Sequence, residues 1–485
     1  MPRLRFAKLF VENAFEKMSP DMHNKILTNF SAMGQMEEIV AKVCEKTDAV
    51  DFMDKPIIII NIGSLCSGSD IFMTYLPLLE KALREHVGLD VQLRHLWSCE
   101  YSARKRIWLK ANFDVPQLFG DVLTLSSPDG SWNFMTGKYE QPMHIDILIA
   151  GFSCRDASRL SGKQQQMRGI VGSEEVSSST TGSTFKGVAQ TIESLKPTLV
   201  LLENVPGLMD RPEDGQKSNF DKVAEALREF GYCFAWRIFD AAATGIPHRR
   251  MRLWMSAVRR DGDDRAVFEP ILQRKVNQNL DEILKHSVHY PLTDFLLDTT
   301  NAMDGDVAQS QNFFKSWWPE LGDGKADLAE AARKWPRAHD AKYPDISPEE
   351  LEAKKELLSN NPHYHSVLTP RQKDLLCREL VRFDQLGTAA VDKQHMVLEL
   401  KHSAGRLVSN CDGTPCQLPS SQQWLVGFGR TLSGAEALLL QGTDAVQLRA
   451  FKPDCWENGF MQDLGDTAFC TSQCLAWLLS TVAAF

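Results

Sequence analysis

The stretch Asp146-Ile-Leu-Ile-Ala-Gly-Phe-Ser-Cys154-Arg-Asp-Ala-Ser158 decides the fold of this 485-residue chain. It begins as an unbroken apolar run, which ends at Gly151. Such a run, closed by glycine, predicts a strand that is buried on both faces, as in a parallel sheet. Ligands of open α/β sheets bind just beyond the carboxyl ends of the strands. The stretch therefore places Cys154 on a loop where a ligand would bind.

The thiol of Cys154 has two interpretations. Arg155 and Arg159 stand close to it in the sequence, and neighbouring positive charge keeps a thiol partly ionised, as a nucleophile requires. The alternative is a half-buried structural cysteine, which this stretch alone favours slightly. The rest of the chain has to decide between the two.

Length and composition bound the class of protein. A chain of 485 residues suffices for two or three domains. With 43% hydrophobic and 24% charged residues and no apolar run of membrane-spanning length, it has the composition of a soluble globular protein. A net charge of -9 argues against a protein that coats itself with nucleic acid, but it allows a local basic cleft. The 11 cysteines show no zinc-ligand spacing, so we expect reduced thiols and no metal.

Polar and apolar patterns divide the chain into four segments. In one of them, apolar strands alternate with amphipathic helices, which predicts a doubly wound, mostly parallel α/β sheet. A polar helical appendage precedes it. A polar, charged region follows, with helix starts rather than strands, and then an apolar helical pattern returns. The predicted bounds are 1–54 for the N-terminal appendage, 55–260 for the α/β domain, 261–423 for a second, irregular and helix-containing region, and 424–485 for the returning part.

The N-terminus is basic and has no acidic residue before Glu12. It lacks the long apolar core of a secretory signal. The start of a basic helix is favoured over the alternative, an organellar presequence.

Glycines and acids follow the first predicted strands, at the edge where ligands bind. Gly63 and Gly68 bound a turn after the strand 57–60, where small residues let a ligand approach the backbone. Glu100 ends the next strand, the place at which such folds hold a ribose by its hydroxyls. Asp121 could similarly accept a hydrogen bond from an adenine amine. Taken singly, a tight turn explains the glycines, and a solvated loop carboxylate is the favoured explanation for each acid.

Three more charged residues belong to the same predicted edge. Glu203 ends a buried strand, and a carboxylate against an apolar strand end tends to hold a proton and can grip a ring nitrogen. Arg250 and Arg252 lie two apart at a strand start, so their side chains point to one face. Two guanidiniums on one face suit a carbonyl or phosphate target. An incidental acid in a turn and a solvated basic strand edge are the alternatives.

The order of these motifs resembles that of the C5-cytosine DNA methyltransferase family. Each motif is moderately specific alone, and the order and spacing are highly specific. The resemblance covers roughly residues 56–260 and 424–480. Its motifs are, in order, the glycine loop, Glu100, Asp121, Cys154 with Ser158, Glu203-Asn-Val, Arg250-x-Arg252, a variable segment, Arg430 to Leu440-Gln441-Gly442, and Asp463-Leu-Gly465-Asp466-Thr-Ala468.

The resemblance implies a DNA (cytosine-5)-methyltransferase that uses S-adenosylmethionine and flips the target base out of the duplex. Cys154 would add to C6 of cytosine, which activates C5 toward the methyl group. Glu203 would grip the N3 and amino edge, and Arg250 and Arg252 would hold the O2 side and the surroundings of the nucleophile. The cofactor would be bound by Ser64, Leu65, Cys66, Gly68, Glu100, Tyr101, Asp121, Val122, Asp466, Thr467 and Ala468.

The resemblance also implies double-stranded DNA as the partner. The variable segment 261–423 stands where the family has its target-recognition region. A mobile loop after Cys154 would close over DNA, with its cations at phosphates. We expect the nucleus as the location in a eukaryote and the cytoplasm otherwise; the sequence leaves oligomeric state and target context open. The loop residues are Arg155, Ser158, Arg159, Lys163 and Arg168.

Four positions depart from the family pattern. Ser153 stands where a proline is usual before the nucleophile, and His248 stands where a glutamine is usual. The cofactor loop, residues 65–70, carries fewer glycines, and Asp466 replaces an asparagine. No departure removes a reacting group, so we expect an active enzyme. The tRNA-modifying branch of the same family and a catalytically idle DNA-binding module stay open as alternatives.

Overall fold

A computed structural model of the chain describes residues 57–84, 90–159, 180–211, 215–260, 262, 264–297, 335–361, 364, 368–388, 395–401, 409–410, 413–418, 421–443 and 458–484. The predicted N-terminal appendage and the predicted loop residues Lys163 and Arg168 lie outside the described residues.

The main sheet has seven strands and confirms the predicted doubly wound, mostly parallel fold. The first nine strands of the chain are β1 (Ile58–Leu65), β2 (Val91–Cys99), β3 (Gln117–Phe119), β4 (Ser131–Asn133), β5 (Lys138–Glu140), β6 (Ile147–Ala150), β7 (Leu199–Asn204), β8 (Tyr232–Asp240) and β9 (Met251–Arg259). The sheet has the order β3-β2-β1-β6-β7-β9-β8, and β4 and β5 form a separate hairpin. Strand β9 runs antiparallel to both of its neighbours, and the other pairs are parallel.

Helices cover both faces of this sheet. The helices of the described residues include α1 (Leu76–Ala82), α2 (Ala103–Asn112), α3 (Thr180–Leu195), α4 (Asn219–Glu229), α5 (Arg265–Lys285), α6 (Pro348–Leu358), α7 (Pro370–Gln385), α8 (Gly434–Leu439), α9 (Asn458–Thr467) and α10 (Thr471–Val482). Helices α1, α5 and α10 enclose one apolar core with the sheet, while α3 and α4 enclose the other.

Strand β6 shows why its sequence is apolar throughout. Ile147 and Ile149 belong to the first core, and Leu148 and Ala150 belong to the second. Successive side chains of a strand point to opposite faces, so a strand between two helical layers has no polar face. Each fully buried Ile or Leu stabilises the fold by roughly 1.5–3 kcal/mol. The central strand therefore fixes the layering that positions the residues after it.

Helix α5 lies beyond residue 260, the predicted end of the α/β domain. Its Leu272, Val276, Leu280 and Ile283 recur at helical spacing and are all part of the first core. The α/β unit therefore extends to about Lys285, and the second region begins after it.

The second region contains a small sheet as well as helices. Strands β10 (Val397–Glu399), β11 (Ser409–Asn410), β12 (Gln423–Leu425) and β13 (Arg430–Thr431) pair in the order β11-β10-β12-β13. Helices α6 and α7 pack their leucines on this sheet around Trp424. Both begin with capping boxes, at Ser347 and Thr369, each followed by a proline in the first turn. The strands were not predicted, because two or three residues are too few to show an alternation.

The last two helices return to the first strand. Phe469, Leu475 and Trp477 share a core with Ile62 of β1 and with Phe72. The hydroxyl of Tyr75, which belongs to the same core, donates to the Gly442 carbonyl and so links the segment after β1 to the segment after α8. Among the helices that the structure describes, none is long and apolar enough to cross a membrane.

Candidate active site

The charged residues of the site meet at one edge of the sheet. Strands β6 and β7 end there, which places Cys154 and Glu203 next to each other along the edge. Because β9 is antiparallel, its first residues lie at the edge where its neighbours end. Arg250 and Arg252 thereby reach the same edge from the opposite chain direction.

Glu203 and Arg252 form a largely buried ion pair. The Nε of Arg252 lies 2.8 Å from Oε1 of Glu203, and the two side chains are 10% and 13% exposed. Burial by itself lowers the pKa of Arg252, but the neighbouring acidic groups of Cys416, Glu203 and Cys154 outweigh burial and raise the pKa. The apolar surroundings predicted for Glu203 are thus incomplete, since a guanidinium lies against it. Within the described residues, Oε2 of Glu203 accepts no hydrogen bond.

Cys154 is exposed and begins a tight turn. Its carbonyl accepts hydrogen bonds from the amides of Ala157, at 3.1 Å, and Ser158, at 2.9 Å. Desolvation of the thiol raises its pKa, as does the charge of Glu203, whereas Arg252 and Arg250 lower it. The net effect is a raised pKa, so the thiol is not kept partly ionised by Arg155 and Arg159 as predicted, and the arginines that act on it are Arg250 and Arg252.

Ser153 is tied to the first turn of α3. Its amide donates to the Thr184 hydroxyl at 3.2 Å, and its own hydroxyl accepts from the amide of Arg155 at 3.4 Å. Asp156 and Thr181 bond reciprocally, at 3.0 and 2.8 Å. A proline at position 153 would have no amide hydrogen to donate. Hydrogen bonds to α3 therefore hold this loop where the family pattern has a rigid ring.

The described part of the predicted DNA-contacting loop reaches the surface beside Cys154. Arg155 is exposed and Ser158 is half-buried. Arg159 pairs with both oxygens of Asp210, at 2.9 and 2.5 Å. For Arg159 to contact a phosphate as predicted, its ion pair with Asp210 must therefore break.

The predicted cofactor loop is partly strand. Ser64 and Leu65 end β1, and the turn itself begins at Cys66, whose φ is +53°. Gly68 has φ +58°, and a Cβ there would lie 2.9 Å from the Thr467 carbonyl oxygen. Glycine is thus required at 68 both by the backbone and by the close approach of α9.

Acidic residues surround this turn as predicted for a ribose and an adenine. Glu100 is buried and accepts from the amides of Gly68 and Ser102, both at 2.8 Å. Each carboxylate oxygen can accept a second hydrogen bond. Asp121 caps the 3-10 turn that begins at Val122 by accepting from the amide of Leu123 at 3.0 Å. These acids sit at the ends of adjacent strands, next to Tyr101, which is 80% exposed.

A buried polar network replaces the missing glycines beneath the turn. Asp70 has φ +49°, a conformation that aspartate tolerates better than most residues. Its Oδ2 accepts from the hydroxyls of Ser64, at 2.8 Å, and Ser98, at 2.7 Å, and lies 3.7 Å from Nε2 of His95. Burial raises the pKa of Asp70 to about 7 despite the serine hydrogen bonds, and Glu100 adds to the rise. Burial also lowers the pKa of His95 to about 4.

We expect this carboxyl to make the stability of the fold depend on pH. The pKa of Asp70 rises from 3.8 to about 7 on folding, so the neutral form is favoured in the folded state. The stability that the neutral Asp70 carboxyl contributes is fully present below pH 4 and is lost as pH rises through 7. Asp70→Asn removes the charge. The difference in unfolding free energy between Asp70→Asn and the wild type should therefore shift in favour of the variant by on the order of 1 kcal/mol between pH 5 and pH 8. Urea unfolding at both pH values measures this difference.

Asp129→Asn is the matched control, since Asp129 is exposed in the turn before β4. An equal pH dependence in Asp70→Asn and the wild type would contradict the prediction.

Arg250 fixes the end of α9 rather than facing the nucleophile. It is 3% exposed, and its terminal nitrogens donate to the carbonyls of Asp466, at 3.2 Å, and Ala468, at 2.8 Å. Lys105 supports the same segment by bonding the Thr467 hydroxyl at 2.9 Å and pairing with Asp463 at 3.0 Å. Arg250 thus shapes the predicted cofactor segment, and its role at the O2 side of a base stays a prediction.

Asp466 and His248, two of the departures, are both buried. The carboxylate oxygens of Asp466 have no hydrogen-bond partner in the described chain, and burial raises its pKa well above the usual range. His248 lies between Gln417 and Gln441, each at 3.3 Å from a ring nitrogen, and burial lowers its pKa. Both departures therefore favour the uncharged side chain, which is what the usual amide residues would supply.

The residues at the turn fit S-adenosylmethionine. The acid pair Glu100 and Asp121 suits ribose hydroxyls and an adenine amine, and the exposed ring of Tyr101 offers a stacking surface. Gly68 keeps the turn open to close backbone approach.

Sequence reasoning missed Asp70, Lys105 and Cys416, which carry no motif; only the loss of glycines at 67–70 could have pointed to Asp70.

The fold and the site define an α/β protein in which a thiol, a buried carboxylate–guanidinium pair and an acid-lined turn lie at one edge of the sheet. A family model described as C-5 cytosine-specific DNA methylase matches residues 79–385. The chain belongs to this family, which confirms the predicted resemblance.

Individual relatives agree with this assignment. The chain is 25% identical over 407 residues to the DNA (cytosine-5-)-methyltransferase DMT5 of Cryptococcus neoformans var. grubii, covering 80% of this chain and 16% of that protein. It is 30% identical over 152 residues to the Type II methyltransferase M.NgoBV of Neisseria gonorrhoeae, or 30% of each chain. The crystal structure of the S. pombe Dnmt2 methyltransferase covers 87% of this chain and 97% of its own, with 12% identity and a TM-score of 0.40. The chain thus spans less than a third of both curated relatives.

Proposed function

We propose that this chain is a DNA (cytosine-5)-methyltransferase that acts through a covalent adduct on Cys154. The observation that carries the proposal is the convergence of Cys154 with the Glu203–Arg252 ion pair at the carboxyl edge of the sheet. An exposed thiol next to a paired carboxylate and guanidinium supplies a nucleophile and two groups that can hold a polar ring.

The reaction assigns each group a step. The Cys154 thiolate forms a bond to C6 of cytosine, and the electron pair of the C5–C6 double bond shifts to C5. Glu203 holds the N3 edge and stabilises the added electron density by sharing a proton there. After C5 has taken the methyl group, water accepts the C5 proton, the electron pair restores the C5–C6 double bond, and the C6–S bond breaks to release the thiolate. Bound S-adenosylmethionine would supply the electrophilic methyl group.

The cofactor would lie on the turn 66–70. Glu100 and Asp121 would accept from its ribose and adenine, and Tyr101 would flank the ring. The segment Asp466 to Ala468, which Arg250 fixes, would close the pocket. We propose that all eleven predicted cofactor residues contribute, either by these contacts or by shaping the turn.

Double-stranded DNA is favoured as the substrate over folded RNA, because the family model and the relative from Cryptococcus neoformans are both named for DNA. The Arg155 and Arg159 side chains beside Cys154 would meet its phosphates. We propose that the chain acts where DNA is kept, which is the nucleus in a eukaryote.

A trapped adduct tests the proposal. Duplexes of mixed sequence that carry 5-fluorocytosine should form a denaturation-resistant complex with the protein in the presence of S-adenosylmethionine, because fluorine cannot leave C5 as a proton would. Cys154→Ser should form none, while Cys377→Ser, a buried thiol of the second region, should behave as the wild type.

Three other outcomes would count against it. A complex with folded RNA instead of DNA would assign the chain to the tRNA branch. DNA binding without any complex would favour a binding module. A complex that survives Cys154→Ser would remove Cys154 as the nucleophile.

A further inference from the structure

Part of the second region is fastened to the start of β9. The amide of Thr414 donates to the Pro247 carbonyl, and the amide of Arg249 donates back to the Thr414 carbonyl, both at 2.8 Å. Gly413 has φ +145°, and a Cβ there would lie 2.4 Å from the Pro247 oxygen. The fit is therefore too close for any side chain at 413. This contact fixes the neighbouring residue, Cys416, relative to the site.

Cys416 completes a chain of hydrogen bonds that ends on Glu203. Its thiol hydrogen points to the carbonyl of Gln417, 3.5 Å from the sulfur. Its sulfur accepts from both terminal nitrogens of Arg252, each at 3.7 Å. The Nε of Arg252 pairs in turn with Glu203 at 2.8 Å. Donor and acceptor directions agree along the chain without requiring a thiolate on Cys416.

The sulfur of Cys416 can orient the guanidinium of Arg252 without binding its N–H groups strongly. Sulfur is a weak acceptor, and two long contacts to one atom favour a single rotation of the guanidinium plane. The Met251 carbonyl, 2.8 Å from Nη1, supports the same rotation. A stronger acceptor in this place would compete with a substrate oxygen for the same N–H groups.

We propose that Cys416 is a positioning residue, which sets the orientation of Arg252 and thereby that of the Glu203 carboxylate toward the base. This inference rests on the proposed methyltransferase function. It gives the second region a direct part in the chemistry, since a residue outside the α/β unit aligns two groups within it.

A double-mutant cycle tests the inference. Cys416→Ala should lower the single-turnover rate of methyl transfer about ten-fold, which corresponds to loss of about one hydrogen bond. The cofactor Kd should stay within about two-fold, because Cys416 is remote in the network from Glu100. In an Arg252→Lys background the same substitution should change the rate less than about two-fold, since its target is gone. Cys416→Ser, which keeps a donor and an acceptor, should retain more activity than Cys416→Ala.

Cys377→Ala is the matched control for removing a thiol from the second region. Equal losses with Cys416→Ala in both backgrounds would overturn the inference in favour of a structural role, as would an unchanged rate. If Cys416→Ala lowers the unfolding midpoint more than the control does, Cys416→Val fills the space without an acceptor and enters the same cycle. A wild-type protein that methylates no DNA would overturn the proposed function and this inference with it; a methylating wild type with an unaffected Cys416→Ala would overturn the inference alone.

Discussion

Replacing Glu203 by glutamine is expected to lower the rate of methyl transfer by about 10²- to 10⁴-fold, the range contributed by general acid–base groups. Glutamine keeps the shape of the side chain but cannot share a proton with N3 of the base. It also leaves Arg252 without its ion-pair partner at a place where both side chains are largely buried. Breaking a buried pair from one side costs up to about 3–5 kcal/mol. Single-turnover methylation and urea unfolding measure the two effects separately.

The cofactor should still bind to Glu203→Gln, since Glu203 is not among the groups around Glu100 and the turn. Calorimetric titration with S-adenosylmethionine checks this. Glu193→Gln is the control, because Glu193 is an exposed residue on α3. A Glu203→Gln protein within ten-fold of the wild-type rate would show that the carboxylate does not take part in the reaction.

Replacing Arg250 by methionine is expected to abolish tight cofactor binding. Methionine has a similar length but no donors, so the carbonyls of Asp466 and Ala468 would lose their buried partners. Each unsatisfied buried group costs about 1–3 kcal/mol. The segment 466–468 would be released from the cofactor turn, and we expect the cofactor Kd to rise by at least about ten-fold, together with a lower unfolding midpoint.

Arg259→Met is the control on the same strand. Arg259 lies at the other end of β9, is exposed, and donates to the Lys196 carbonyl at 2.5 Å. If Arg250→Met bound the cofactor as tightly as Arg259→Met, the segment 466–468 would not depend on Arg250. A loss of methylation with normal cofactor binding would instead support the originally predicted role of Arg250 at the base.

The fold and the position of the site were predictable because their signals are local. An apolar run closed by glycine marked β6, and the alternation of strands and helices fixed the layers. Polar and nucleophilic residues that follow parallel strands must then lie at the carboxyl edge of the sheet. Cys154, Glu203 and Glu100 could therefore be placed there without any knowledge of their contacts. The antiparallel direction of β9 had no local signal, although the predicted strand start correctly marked where its arginines lie.

Side-chain partners could not be predicted from the sequence. Arg250 and the Asp466 carbonyl are 216 positions apart, and Arg159 and Asp210 are 51 apart. No periodicity connects such pairs, and an arginine has many acceptors to choose from. The same reason explains why Cys416 was overlooked, since its region shows no resemblance to a known pattern and its sulfur acts only through Arg252.

The return of the last helices sets a condition on how this protein is made. Lys105 on α2 and Thr467 at the end of α9, whose side chains are joined by a hydrogen bond, are 362 positions apart in the sequence. A ribosome therefore completes the entire sheet before it has produced the segment that closes the pocket. Nascent chains that have not yet reached residue 467 should be unable to retain S-adenosylmethionine, so neither an unfinished nor a prematurely terminated chain would carry out methyl transfer.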